Sequence, residues 1–298
     1  MIGSEHERAQ RPTGPGFGDA VTFSFADLSA ERYGIARIGI TAGDPPQASA
    51  LALLFAGRDP VAAVAEGGVA VPGGGWERVE AAGVRAEVIE PLSRWRVAFA
   101  GAEAGYELDF TAVSAPAEIT AEDPAGRAAG QQGYEQVCRV EGTVTVGETT
   151  SRLVCLGQRG HGWGVTDWDS IELARTITAW LHEGDAVTLS AVRPQGAGTH
   201  ADEAVSAFLF AAGDDGPAQV TRVEEPRLST TYDADGRQRR AGLELWMGAD
   251  DELPRRIAGE ALGGSTLELG RLSLQCAFFR WSMAGRGGVG RYDIVRRT

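Results

Sequence analysis

Apolar residues return at every second position through most of this chain. In the first third, Val21, Phe23 and Phe25 share one face, Ala36, Ile38 and Ile40 another, and Leu51, Leu53 and Phe55 a third. The clusters Gly43-Asp44-Pro45-Pro46 and Gly57-Arg58-Asp59-Pro60 stand between them. A period of two puts alternate side chains on one face of an extended strand, and Gly, Pro and Asp interrupt it where the chain must turn. The alternation continues through Val84/Ala86/Val88, Trp95/Val97/Phe99 and Tyr106/Leu108/Phe110, and helix signals are nearly absent from this half. Residues 134–158 read as a hairpin, Tyr134–Val146 returning as Thr149–Gln158 around Gly147-Glu148. A register symmetric about that turn makes Cys138 and Cys155 cross-strand neighbours, which reads more simply as two small buried hydrophobes than as a functional thiol pair.

The second half repeats the pattern. Strands are predicted at Ile177–Trp180, Ala186–Val192, Ala204–Ala211, Ala218–Glu224, Leu243–Met247, Ser265–Leu269 and Leu272–Trp281. Asp214-Asp215-Gly216-Pro217 and Asp233-Ala234-Asp235-Gly236 have the composition of hairpin turns. Asp251–Ala261 is compatible with a short helix, although its apolar stripe is poor. Many short strands with frequent turns predict an all-β fold of barrels or sandwiches. An eight-stranded barrel is just wide enough to hold one small ligand. We therefore expect two β-barrel domains in tandem, the first over residues 19–160 and the second over 161–298. Residues 1–18, with Pro12, Pro15 and no periodicity, read as a disordered lead-in.

Composition narrows the function. The chain has 298 residues, 43% hydrophobic, with a formal net charge of −13. That charge argues against nucleic acid and anionic membrane surfaces as partners, because phosphate binding needs a concentrated positive field. All 28 basic residues are arginine. The absence of lysine removes Schiff-base chemistry, lysine-anchored pyridoxal phosphate and a P-loop together. Cys138, Cys155 and Cys276 are too few for a disulfide scaffold and show no zinc spacing. No apolar run approaches the ~20 residues of a membrane-spanning helix, and the N-terminus lacks an apolar signal core, so a cytoplasmic protein is expected. His182 and His200 lie far apart among turn residues and read as surface histidines. Pro72-Gly73-Gly74-Gly75-Trp76 lacks the helix and lysine of a phosphate loop, and Gly285-Arg286-Gly287-Gly288-Val289-Gly290 opens no helix, so neither is a nucleotide fingerprint.

The densest chemistry lies in Gly157-Gln158-Arg159-Gly160-His161-Gly162-Trp163-Gly164-Val165-Thr166-Asp167-Trp168. Four glycines, two tryptophans and three ionisable groups in a dozen positions suggest a crowded joint between the domains and the best candidate site. Together with Pro91-Leu92-Ser93-Arg94-Trp95-Arg96-Val97, Gly105-Tyr106-Glu107-Leu108-Asp109-Phe110, Gly133-Tyr134-Glu135-Gln136, Gly142-Thr143-Val144 and the closing Gly287-Gly288-Val289-Gly290-Arg291-Tyr292, this succession resembles the AttH-like/hydroxyneurosporene synthase group. That group consists of double-lipocalin, calycin-like proteins, and the resemblance covers roughly residues 20–298. It implies two lipocalin-like barrels and small apolar substrates of isoprenoid, polyketide or lipid-like character, handled by carotenoid 1,2-hydratases, terpenoid cyclases and pericyclic enzymes. The chain departs from the group's pattern at Gly160, where an acid is usual, at Gly162, where a Ser-like residue is usual, and at Thr166, where an arginine is usual.

Hydrating or cyclising an alkene requires an acid that can protonate carbon, and an apolar pocket raises a carboxyl pKa enough to keep that proton. It also requires aromatic faces beside the cation. Asp167 is the candidate acid and His161 the proton relay or water-positioning group. Trp163, Trp168, Trp180 and Tyr134 are candidate aromatic lining, with no metal or organic cofactor implied. Arg159 could instead pair with Asp167 and disable it, or pair with Glu135 in a structural plug; Glu135 is equally readable as a second pocket carboxyl. Three functions remain open: an acid-triggered hydratase or cyclase, a non-catalytic carrier of a lipid-like ligand, and a pericyclase-like pocket that acts by shape.

Overall fold

The computed structural model describes residues 1–71, 76–182, 185–213 and 216–298. It is all-β, with two near-barrel antiparallel sheets in tandem. The glycines at 73–75 and the Asp214-Asp215 turn lie outside the described residues. One compact unit comprises residues 1–121 and 130–166, the other residues 122–129 and 167–298.

The first unit contains β1 (Phe17–Asp27), β2 (Arg32–Thr41), β3 (Gln47–Ala56), β4 (Asp59–Ala70), β5 (Arg78–Ala81), β6 (Val84–Glu90), β7 (Arg94–Ala100), β8 (Ala104–Ala112), β9 (Ala117–Ile119), β10 (Gln131–Val146) and β11 (Thr149–Val165). They follow the order β4-β3-β2-β1-β11-β10-β8-β7-β6-β5, with β9 on β10. The sequence alternation sets which face is inside. Val21, Phe23 and Phe25 of β1 meet Ala36 and Ile38 of β2, Trp95 and Val97 of β7, and Leu108 and Phe110 of β8 in one core. Burial of each large side chain contributes about 1.5–3 kcal/mol. On β3 the residues in this core are Ala48, Ala50, Ala52 and Leu54, while Leu51, Leu53 and Phe55 are buried on the opposite face. Both faces of β3 are thus covered, and alternation of size rather than polarity distinguishes them.

The long hairpin forms as its sequence predicts. Val146 pairs with Thr149 across the Gly147-Glu148 loop, and Gly147 takes φ +58°, where a Cβ is costly. The cysteines are two residues out of register: Cys138 faces Gly157, and Cys155 faces Val140. All three cysteines are free.

The second unit contains β12 (Ile171–His182), β13 (Asp185–Pro194), β14 (Ala204–Ala211), β15 (Gln219–Arg222), β16 (Glu225–Tyr232), β17 (Gln238–Trp246), β18 (Arg255–Leu269), β19 (Leu272–Met283) and β20 (Arg286–Arg297). Their order is β15-β14-β13-β12-β20-β19-β18-β17-β16. As in the first unit, the first strand pairs with the last and the rest follow as a meander. Ile177, Ala179, Leu189, Leu243, Phe279, Trp281 and Ile294 fill this core.

Three features differ from expectation. Residues 251–261 are not helical: β18 starts at Arg255 and is paired on both sides, by β17 and β19, so cross-strand hydrogen bonding and burial of Ile257 override local helix propensity. A short helix, α1 (Pro124–Ala129), carries no periodic signal because it is little more than one turn. It belongs to the second unit, where Ala125 packs with Ile171, Val192 and Trp168, and its backbone N–H donates to Ser206 Oγ at 3.0 Å. Residues 1–18 are not simply a loose lead-in. Ser4–Glu7 forms a 3-10 turn whose Glu7 is only 3% exposed.

Candidate functional site

Alternation along β11 sends Gly157, Arg159 and His161 to the side of their partners Phe25, Phe23 and Val21 on β1, which is the core side of the first barrel. The neighbouring strand β10 places Tyr134 opposite His161 and Gln136 opposite Arg159. Two buried polar networks therefore lie side by side at the end where β1 begins and β11 finishes.

The first is built on Asp19. His161 Nε2 lies 2.6 Å from its Oδ1, while its Oδ2 accepts the Trp76 indole N–H at 2.8 Å and the Gln10 backbone N–H at 2.8 Å. A carboxylate surrounded by donors requires the proton on Nε2, which leaves Nδ1 as the acceptor of the neutral ring. That Nδ1 is buried and has no partner among the described residues. The ring stands edge-on to Trp76, Tyr134 and Trp163, with centroids 5.7, 6.1 and 5.2 Å away.

The second network is built on Arg159. Its Nη1 donates to Glu7 Oε1 at 2.7 Å, and its Nη2 and Nε donate to Gln136 Oε1 at 2.6 and 3.1 Å. Gln136 is fixed in turn by donating to the carbonyls of Ser114 and Leu92. The guanidinium lies 5.6 Å from the ring centroids of both Trp95 and Tyr134. Burial opposes the Arg159 charge, but Tyr134, Glu7 and Cys138 around it raise its pKa overall. Burial also drives the Tyr134 phenol well above its ordinary value, so it stays a donor; its hydroxyl lies by Glu7 and Arg159 without hydrogen-bond geometry to either. Burial pushes the Cys138 thiol up to about 12. Among the described residues, four buried polar atoms in this one region lack partners: His161 Nδ1, Tyr134 Oη, Glu7 Oε2 and Trp95 Nε1. Unpartnered buried groups are rare, and a concentration of them marks a place for a ligand or water.

The remaining predicted residues are placed elsewhere. Asp167 is exposed, in a turn where its Oδ1 accepts the Asp169 N–H at 3.0 Å, and it meets neither Arg159 nor His161. Trp168 packs against α1, and Trp180 is buried on β12 of the second unit. Trp163 does join the site, with His6 stacked on it at 6.0 Å. Glu135 is on the other face of β10, accepting from Gln158 Nε2 at 2.8 Å.

Residues 157–165 of the glycine-rich stretch lie in strand β11, the division between the two units falls after Thr166 within it, and its glycines answer to close neighbours. A Cβ at Gly157 would strike the Ser24 carbonyl, and one at Gly160 would sit 2.5–2.6 Å from the Glu135 carboxylate. Gly162 has room, with nothing nearer than 3.7 Å. Glu7 and Asp19 were missed by the sequence reading. Asp19 carries a usable signal, an acid in an inward position between Phe17 and Val21; Glu7 carries none.

A family profile described as a domain of unknown function, DUF7064, matches residues 3–297, and the chain belongs to that family. No curated protein matches it. Among solved structures it is similar to an AttH candidate from Nitrosomonas europaea, with a TM-score of 0.68 at 13% identity over 94% of this chain and 92% of the other. It is similar to CghA, with a TM-score of 0.65 at 11% identity over 95% and 89%. Kievitone hydratase from Nectria haematococca gives 0.60 at 11% identity over 100% and 94%. These likenesses establish the lipocalin-like fold.

Proposed function

We propose that this member of the DUF7064 family adds water to, or cyclises, a small apolar molecule of isoprenoid or polyketide character in its first barrel, with His161 as the proton-transfer group. The observation that carries the reading is the bare Nδ1 of His161, buried among aromatic rings and oriented through Nε2 by Asp19. The similarity to kievitone hydratase is consistent with it.

The chemistry follows from the arrangement. Protonated His161 delivers the Nδ1 proton to an alkene carbon, and the faces of Trp76, Trp163 and Tyr134 stabilise the resulting cation. Water adds to the cation, and Nδ1 takes back the proton that the added water loses, so the product is the alkene plus one water and the ring is restored. In cyclisation a second alkene replaces water and the proton lost from carbon returns to the same atom. Asp19 stabilises the charged ring and fixes its orientation without itself changing protonation. Tyr134 and Arg159 supply donors for an oxygen on the substrate.

The test is a panel of prenylated aromatics and polyenes incubated in ¹⁸O-water, read by mass spectrometry for gain of one labelled water or for isomerisation. His161→Gln and Asp19→Asn are expected to lose roughly 100-fold or more in turnover, and Asp167→Asn to retain it. Full turnover by His161→Gln overturns the assignment. A carrier role is favoured by one specific feature, the closure of this barrel end by the segment carrying His6, Glu7 and Gln10, which suits retention of a ligand. A co-purifying apolar molecule released unchanged would support that reading.

A further inference from the structure

The second barrel ends differently. Where β12 begins and β20 finishes, Leu173 pairs with Arg296 on one side and Arg193 on the other. These three, with Glu172 and Tyr232, line a cavity of about 290 Å³. Deeper in the same barrel, Thr230 Oγ1 and the Tyr292 hydroxyl are 2.7 Å apart, and the buried Arg175 reaches both, at 3.3 and 3.5 Å.

We propose that this mouth is a binding site for a small monoanion, a carboxylate carried on an aromatic or short aliphatic body. The first argument is charge. Arg175 and Arg193 both pair with Glu203, and Arg193 also lies 3.4 Å from Glu172. Among the described groups, three guanidiniums (Arg175, Arg193, Arg296) meet two carboxylates (Glu172, Glu203), and 3 − 2 leaves one positive charge. The excess belongs to Arg296, which no carboxylate pairs with among the described residues and whose Nε is buried without a partner. The second argument is presentation. Arg296 lies over the Tyr232 ring at 5.7 Å, which holds the planar fork in place for a two-point grip on a carboxylate. The third is size and lining. The cavity is at the small end of ligand pockets, ~300–1,000 Å³, and Leu173 and Tyr232 give it an apolar wall for a short body. The site is independent of the proton-transfer assignment in the first barrel.

The probe is 4-fluorobenzoate, followed by ¹⁹F NMR on the full chain, with 4-fluorobenzyl alcohol as its neutral counterpart. The benzoate is expected to bind, and the alcohol to bind roughly tenfold more weakly or less. Arg296→Gln should lose at least tenfold in affinity for the benzoate, with Arg296→Lys intermediate, because it keeps the charge and loses the fork. His161→Gln should leave binding unchanged. Absence of benzoate binding, equal binding of the alcohol, or undiminished binding by Arg296→Gln each overturns the proposal.

Discussion

Both barrels bury an arginine near the end where the first strand starts and the last strand stops, and they complete its surroundings by opposite means. In the first, the partner comes from outside the sheet. Glu7, on the segment before β1, pairs with Arg159, and the same segment stacks His6 on Trp163 and gives the Gln10 N–H to Asp19. In the second, residues 122–129 and 167–170 precede β12 within the unit, but Arg175 finds its partner in Glu203, just before β14. Glu203 is shared with Arg193, and the mouth keeps a cavity beside it. A charge closed over by a segment outside the sheet and a charge gripped by the sheet's own connections thus serve different ends: the first encloses aromatic rings and a bare imidazole nitrogen, the second leaves a cavity lined by Arg193 and Arg296.

The sharpest way to break this comparison is to remove each arginine. Arg159→Met strands Glu7 and the Gln136 oxygen, and should cost about 3–5 kcal/mol in urea unfolding, the usual penalty for breaking a buried ion pair. Arg175→Met leaves Glu203 its second partner, Arg193, and should cost about 1–3 kcal/mol. Equal losses would show that the two ends are not built differently. Glu7→Gln comes next, at about 1.5–3 kcal/mol, the range of hydrogen bonds to charged groups. The smallest effects are in pH dependence. Burial raises the pKa of Asp109 in the first barrel, but its bonds to Arg96 and Arg94 outweigh that and lower it overall; Asp293 in the second is raised by burial despite Arg291. Asp109 therefore adds stability that is present above its unfolded pKa of ~3.9 and lost as pH falls through its lower folded value. Asp293 takes stability away as pH rises from ~3.9 through its raised folded value. Acid-range melts of Asp109→Asn and Asp293→Asn should change slope in opposite senses.

The strand pattern was legible because alternation is a local property, and the β10–β11 hairpin could be read from it as far as Gln158; the continuation of β11 that turns Arg159 and His161 inward could not, because glycine and polar residues break the apolar alternation there. Nor could their partners. Glu7 and Asp19 lie 152 and 142 residues away in the chain, so only closure of the sheet, β1 against β11, brings them together. Asp167, six residues from His161 in sequence, looked like the nearer acid, but the strand ends at Val165 and the chain turns to the surface. Residues 251–261 misled for the same reason: strand pairing on both sides is decided by segments remote in sequence.

The most direct test of the account is the protonation of the His161 ring nitrogens, read by ¹⁵N NMR of histidine-labelled protein. The chain has four histidines, so His161→Gln identifies the signal. The account predicts that the neutral ring carries its proton on Nε2, facing Asp19, with Nδ1 bare, and that Asp19→Asn disturbs this preference. A ring protonated on Nδ1 with Nε2 bare would contradict it, because Asp19 would then hold the proton and the nitrogen facing the barrel interior could not accept one.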